Sequence, residues 1–164
     1  MDGMGYRNAS KVYDLASKGM LSREVKGNML MDSFAMNVLQ YMALSAIDWE
    51  DEASKKHHPA RCYWKGWEPM IADMGLTLPT PEQAKAISEG NLNIDAFTDL
   101  RYENARVRVS RAVRFLRERR LVKQLITPQK TRRNAVWLLN LGDERENDEV
   151  ETFARWKLGL PFAG

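Results

Sequence analysis

The sequence predicts a mainly α-helical fold with one small β-hairpin. Apolar residues recur at spacings of three and four in several segments, which is the period of a helix packed on a core. Two short aliphatic runs, 121–127 and 135–141, flank a seven-residue polar loop and have the composition of paired strands. We expect an N-terminal arm at 1–28, a main domain at 29–141, and an acidic segment with a terminal helix at 142–164.

The composition is typical of a globular protein and not of a membrane-spanning or disulfide-rich one. At 164 residues, 44% of them hydrophobic, the chain has the size and composition of one globular domain. No apolar run approaches the roughly 20 residues that span a bilayer, and the N-terminus lacks the pattern of a secretory signal. The single Cys62 excludes an internal disulfide and fits a reducing compartment. We therefore expect a cytoplasmic protein with no membrane partner.

The first half of the chain carries two predicted helices. A short helix is expected from Ser10 to Lys18 within the polar arm, with Gly19 as its stop. A stronger helix is expected to begin at Asp32 or Ser33 and to run to Trp49. It is apolar on most sides, so we predict that it is the central helix of the core.

The middle of the chain predicts shorter elements. A charged connector closed by Pro59 leads to a short strand at 61–64 and a helix at 67–74, with Gly75 just past its end. Thr80 is a good N-cap for a further helix that begins with Pro at its first position and ends before Gly90.

A concentration of positive charge follows. Residues 101–133 contain twelve Lys and Arg but only two acids, a net charge of +10, whereas the whole chain has +3. Clustering like charge costs stability, and the usual reason for it is a polyanionic partner, most often nucleic acid. The segment predicts a basic helix at 101–120 followed by the hairpin, whose loop carries more positive charge.

The basic helix is amphipathic on a helical wheel. One face is apolar and should pack on the core: Ala105, Val109, Ala112, Val113 and Leu116. Side chains near a helix N-terminus reach base edges in the major groove most easily, and Arg grips guanine with two hydrogen bonds. The base-reading candidates are Asn104, Arg106, Val107, Ser110 and Arg111, with Arg108 on the flank. Arg114 and Arg117 are candidates for phosphate contacts. The hairpin tip adds Lys130, Arg132, Arg133 and Asn134.

Residues 109–122, V-S-R-A-V-R-F-L-R-E-R-R-L-V, resemble the recognition-helix-to-wing junction of winged helix-turn-helix proteins, whose usual pattern is V-S-R-x-L-x-x-L-x-x-x-G-L-V. The matching positions are Val109, Ser110, Arg111, Val113, Leu116, Leu121 and Val122, while Arg120 stands where the family has Gly. The resemblance covers about residues 30–141. This part of the chain is similar to the DNA-binding heads of phage and plasmid replication initiators and replisome-organising proteins. The resemblance implies sequence-specific double-stranded DNA binding, in replication initiation or transcription regulation of a bacterium, phage or plasmid.

The chain departs from that family between 76 and 100, where about 25 residues replace a connection of a few. Two alternatives remain open. Either this segment is an insertion with its own helix, or the helix at 82–89 is itself the one that precedes the recognition helix.

The sequence gives little support for enzyme activity, metal binding or base stacking. The chain has no nucleophile-elbow, P-loop, dinucleotide-binding or HExxH motif, so we expect no enzyme activity and no cofactor. His57, His58 and Cys62 match no zinc-ligand spacing, and no metal is expected. The acids Asp48, Glu50, Asp51 and Glu52 follow a helix end and should be solvated. Tyr63, Trp64 and Trp67 are interpreted as strand and core residues rather than base-stacking ones.

Three alternatives concern the charged and apolar surfaces. The arginine-rich face is either a nucleic-acid surface, a solvated face, or the partner of the acidic patch at 143–151. The apolar tail, with its helix ending at Gly159 or Pro161, either folds over the first helix or forms a homodimer contact. In the alternative function the chain is a winged-helix protein-interaction module with an acidic partner, and a third possibility is RNA or single-strand binding.

Overall fold

The computed structural model describes residues 5–50, 58–129 and 134–163. These form a mixed α and β structure with six helices and five short strands. The helices are α1 (Tyr6–Ser17), α2 (Ser33–Ser45), α3 (Trp67–Asp73), α4 (Pro81–Ser88), α5 (Ile94–Glu118) and α6 (Glu144–Leu158). The strands are β1 (Ser22–Val25), β2 (Asn28–Met31), β3 (Cys62–Tyr63), β4 (Val122–Ile126) and β5 (Val136–Leu139). None of the described helices is long and apolar enough to cross a bilayer.

Two compact units make up the chain. The first contains the described residues up to Trp64 together with those from Ala112 onward, and the second is Lys65–Arg111. Helix α5 runs through the boundary, so its last turns belong to the first unit.

Helices α1 and α2 pack together in the first unit. Helix α2 begins where predicted, because the Asp32 side chain accepts a hydrogen bond from the Ala35 amide at 2.9 Å. It ends at Ser45 rather than Trp49, since Ala46 has extended backbone angles. At the junction, a Cβ on Gly5 would lie 2.3 Å from the Leu44 carbonyl oxygen, so only glycine permits this approach.

Helix α1 begins at Tyr6, four residues before the predicted start at Ser10. The physical reason lies far along the chain. The carboxylate of Asp48 accepts hydrogen bonds from the backbone amides of Arg7, at 3.2 Å, and Asn8, at 2.7 Å. These amides have no partner inside the helix, so the distant acid stabilises a first turn that the local sequence does not signal.

A hairpin of β1 and β2 follows α1, and the sequence pattern did not predict it. Lys26 and Gly27 have positive φ angles of 51° and 79°, the conformation of a two-residue turn between twisted strands. Arg23 pairs with Asp32, and its guanidinium lies 4.7 Å from the centre of the Phe115 ring. The hairpin is thereby attached to the last turns of α5.

The three-stranded sheet of the first unit has the order β3-β5-β4 and is antiparallel. The predicted hairpin strands at 121–127 and 135–141 are confirmed as β4 and β5. The short strand expected at 61–64 is also confirmed, as the two-residue β3, which pairs Cys62 with Leu138.

Helix α6 packs on this sheet, where Val150 and Ala154 join Cys62 and Leu138 in a buried cluster. The acidic patch at 143–151 forms the N-terminal cap and the first half of α6. Asp143 caps the helix, since its side chain accepts a hydrogen bond from the Glu146 amide at 2.8 Å. Acids are favourable at this end of the helix dipole. The helix ends at Gly159, as predicted, in the left-handed conformation.

The second unit confirms two predicted helices and corrects a third. Helix α3 has the predicted start and buries Met70 and Ile71. Helix α4 has the predicted Thr80 cap, completed by reciprocal hydrogen bonds with Gln83, and none of its residues is buried. Segment 76–100 therefore contains a helix, which both alternatives for this segment require.

Helix α5 begins at Ile94 rather than Arg101. The Asn93 side chain accepts from the amides of Asp95, at 3.1 Å, and Ala96, at 3.3 Å. This is a helix N-cap, so the last seven residues of the predicted connection belong to the helix.

Candidate nucleic-acid interface

Helix α5 exposes the polar face that the sequence predicted. Its apolar side is buried at Ala105, Val109, Ala112, Val113 and Leu116. Every candidate DNA contact on the helix is exposed: Asn104, Arg106, Val107, Arg108, Ser110, Arg111, Arg114 and Arg117. The amphipathic wheel is confirmed, whereas the DNA contacts stay a prediction.

The position of these residues along the helix differs from expectation. Because α5 starts at Ile94, Asn104 lies about 15 Å into the helix at a rise of about 1.5 Å per residue. The candidates from Asn104 to Arg111 therefore lie in the middle of the helix, where the helix dipole adds little to their attraction for phosphate. Arg114 and Arg117 lie in its last turns. A continuous helix that crosses the major groove presents middle residues to the bases.

The ion pairs of three arginines on this face can be stated from the described residues. Arg106 lies 3.9 Å from Glu103 in an exposed pair, which is worth little in water. Arg111 and Arg114 form no ion pair with any residue in the described ranges. Their charge is available to a partner.

Three acids of α6 form ion pairs within the first unit. Glu146 pairs with Arg61, and Glu149 pairs with Arg145 at 3.2 Å. Glu151 accepts hydrogen bonds from Lys123 and Arg155, each at 2.8 Å. Lys123, which pairs with the acidic patch, lies on β4 and is not part of the arginine-rich face of α5.

The turn from α5 into β4 is left-handed at Arg120, which has a φ of 59°. Glycine usually occupies this conformation at the end of a helix. The Leu121 amide donates to the Leu116 carbonyl at 2.9 Å, and the Asn140 side chain donates to the Arg120 carbonyl at 3.1 Å. These hydrogen bonds hold Arg120 in a left-handed conformation that is less favourable in free energy for arginine than for glycine.

The β4–β5 hairpin contributes one described candidate, Asn134, and contacts another, Arg117 of α5. The Arg117 guanidinium lies 5.8 Å from the centre of the Trp137 ring, a cation–π contact. The exposed Asn134 donates to the Trp64 carbonyl at 3.3 Å, which ties the end of the hairpin loop to the strand next to it. Lys130, Arg132 and Arg133 lie outside the described residues.

Two titratable side chains, Cys62 and Tyr102, have a raised pKa and carry no negative charge at neutral pH. Burial raises the pKa of Cys62 to about 12 and keeps this thiol protonated. Partial burial, with Glu68 acting in the same direction, raises the pKa of Tyr102.

The aromatic prediction holds in part. Tyr63 is buried, but Trp64 lies outside β3, is 47% exposed and stacks on His58 at 5.6 Å. Within the described ranges no three His, Cys, Asp or Glu side chains are grouped to hold a metal, and His57 lies outside those ranges.

Sequence reasoning missed a buried polar network. Asp48, expected to be solvated, is buried and caps α1. Arg61 is fully buried, donates to the Asn8 side chain at 3.1 Å and pairs with Glu146. Asp51 and Glu52 lie outside the described residues. Nothing in the local pattern separated Asp48 and Arg61 from solvated charges.

Comparison with known proteins adds no relative. No family model, curated protein or solved structure matches this chain.

Proposed function

We propose that this chain is a winged helix-turn-helix protein that binds double-stranded DNA with sequence specificity through the exposed face of α5. One observation carries the proposal: an arginine-rich helix face is exposed, while the opposite face is buried. Proteins rarely concentrate so much like charge on one surface unless a polyanion binds it.

The elements that follow α5 support the same proposal. A tight left-handed turn at Arg120 leads into β4 and β5, and β3 adds a third strand. A helix followed by such a hairpin is the arrangement of a recognition helix and wing. The resemblance of residues 109–122 to that family extends the proposal to replication initiation or transcription regulation.

In the proposed mechanism, α5 enters the major groove and reads bases with Asn104, Arg106, Val107, Ser110 and Arg111. Arg111 would grip guanine through two parallel hydrogen bonds, which Lys cannot reproduce. Arg108, Arg114 and Arg117 would contact phosphates, and Lys130, Arg132, Arg133 and Asn134 would hold the flanking backbone.

Fluorescence anisotropy with duplex DNA tests the proposal, with single-stranded DNA as the control and several salt concentrations. Sequencing the bound fraction of a random duplex library would identify the preferred site. We expect a steep salt dependence and an enriched motif, whose symmetry would report on the predicted homodimer. Absence of duplex binding at low salt would refute the proposal and favour a protein partner with an acidic surface.

Two variants separate base reading from backbone contact. Arg111→Ala should lose about 1–3 kcal/mol of discrimination at one base position. Arg132→Ala should weaken binding to all sequences alike and lower the salt slope by about one. Arg145→Ala removes an exposed charge on α6 and should change neither quantity. Equal loss on all sequences for Arg111→Ala would exclude base reading by that residue.

A further inference from the structure

An aromatic pocket lies along the second half of α6, within the first unit. Its volume is about 550 Å³, a size typical of ligand sites. The lining residues are Trp49, Asp148, Glu149, Thr152, Phe153, Trp156 and Phe162. DNA binding through α5 does not use this pocket.

The aromatic rings of the pocket pack on one another but remain open to solvent. Trp49 and Phe153 meet edge to face with centroids 5.7 Å apart, and Phe153 and Trp156 are also 5.7 Å apart. Trp156 is 62% exposed and Phe162 is 66% exposed. Grouped exposed aromatics of this kind mark interaction sites.

The two charged side chains that line the pocket, Asp148 and Glu149, are both acidic. Residues 143–151 contain six acids and one basic residue, Arg145. Asp148 and Glu149 line the pocket and are exposed. Asp148 has no ion-pair partner in the part of the chain that the structure describes, whereas Glu149 pairs with Arg145.

The rings already attract a cation from within the chain. The Lys157 ammonium lies 5.5 Å from the centre of the Trp156 ring and 5.8 Å from that of Phe153. Such contacts arise because the electron-rich ring face attracts positive charge. The pocket thus combines aromatic faces with carboxylates, the two groups that recognise a guanidinium.

We propose that this pocket binds an arginine side chain flanked by apolar residues in a segment of a partner protein. The guanidinium stacks on the rings and donates hydrogen bonds to Asp148 and Glu149, while the apolar neighbours cover Trp156 and Phe162. Arginine in contact with tryptophan is a frequent energetic centre of protein interfaces. The site needs no bound DNA.

The test uses the full chain and a fluorescein-labelled peptide of sequence GLRFRLG, followed by fluorescence anisotropy. A matched peptide carries citrulline in place of arginine, which keeps the shape and removes the charge. We expect saturable binding that is weakened about tenfold or more by citrulline. Equal binding of the two peptides, or no binding up to about 1 mM peptide, would overturn the proposal.

Matched variants locate the binding. Trp156→Ala should weaken the peptide about tenfold, and Tyr13→Ala, an equally exposed aromatic on α1, should not. Glu149→Gln should weaken it several-fold, whereas Glu144→Gln, on the same helix but outside the pocket, should leave it unchanged. Unchanged binding by Trp156→Ala, with its fold verified by circular dichroism, would refute this location.

Lys157→Met tests whether Lys157 competes with the guanidinium for the ring faces. The substitution removes a like charge and a competitor for the ring faces, so the arginine peptide should bind several-fold more tightly. Unchanged or weaker binding would show that Lys157 does not compete with the guanidinium for the ring faces and would overturn the proposal. Duplex DNA affinity of the same variants is a separate readout, so failure here and failure of the proposed DNA binding are distinguishable.

Discussion

Arginine has opposite roles in two regions of this molecule. Arg61 is fully buried in the first unit, where it contacts Asn8 and Glu146 and lies 3.8 Å from Glu50. Arg111 and Arg114 are exposed on α5 and form no ion pair within the described residues. Buried charge must be compensated inside the protein, whereas exposed charge remains available to a partner. Compensation by neighbouring groups, rather than residue type, separates a structural arginine from one whose charge is open to a partner.

The largest effect on stability is expected at the buried arginine, Arg61. Arg61→Met should lower the free energy of unfolding by about 3–5 kcal/mol, because it leaves Asn8 and Glu146 without their buried partner. Urea denaturation measures this loss. Arg145→Ala, which removes an arginine that is almost fully exposed, should change stability by less than about 0.5 kcal/mol. Similar effects for the two variants would break the comparison.

The next largest effect on stability is expected at the N-terminal cap of α1. Asp48→Ala removes the acceptor for the amides of Arg7 and Asn8, at a cost of about 1–3 kcal/mol. Hydrogen exchange of these two amides should accelerate more than that of amides in the middle of α1. Asp14→Ala, on the same helix, is the control. Equal exchange in both variants would mean that Asp48 does not hold this helix end.

The Glu151 contacts predict a pH dependence. Partial burial raises the pKa of Glu151, but hydrogen bonds and charge from Lys123 and Arg155 outweigh it and hold the pKa below its ordinary value. The contribution, about 1 kcal/mol, is present above the ordinary glutamate pKa of roughly 4.3. It is lost as the pH falls through the lower folded-state pKa.

Glu151→Gln should therefore destabilise the protein at pH 7, and the difference from the unsubstituted chain should shrink at about pH 3. Denaturation at both pH values measures it. A difference that grows on acidification would contradict the assigned direction of the pKa.

A smaller effect is expected at the turn after α5. Arg120→Gly should stabilise the protein by about 0.5–1 kcal/mol relative to Arg120→Ala, because only glycine adopts the left-handed conformation without a Cβ penalty. Both variants remove the same charge, so their difference in thermal denaturation reports the backbone alone. Equal stability would show that the Arg120 backbone is unstrained.

The smallest effect on stability is expected on the exposed face. Arg114→Ala should change the free energy of unfolding by less than about 0.5 kcal/mol, while it weakens DNA binding and lowers its salt slope by about one. Denaturation and anisotropy on one preparation give both values. A large loss of stability would place Arg114 with Arg61 among the structural arginines.

The sequence by itself determined the elements that depend on neighbouring residues. The Thr80 cap of α4, the Asp32 cap of α2 and the strands of the β4–β5 hairpin follow from local patterns. The exposed and buried faces of α5 also follow, because helical periodicity alone places residues three and four apart on one side. Most of the candidate interface was therefore predictable, although the start of α5 was misplaced.

Only the tertiary structure decided the contacts that join distant segments. Asp48 caps Asn8 across 40 residues, and Arg61 meets Glu146 across 85. The pairing of β3 with β5 and the pocket between Trp49 and α6 are of the same kind. A charged side chain has the same local pattern whether it is solvated or buried. Its role is set by which groups the folded chain brings within hydrogen-bonding distance, and local periodicity carries no record of that.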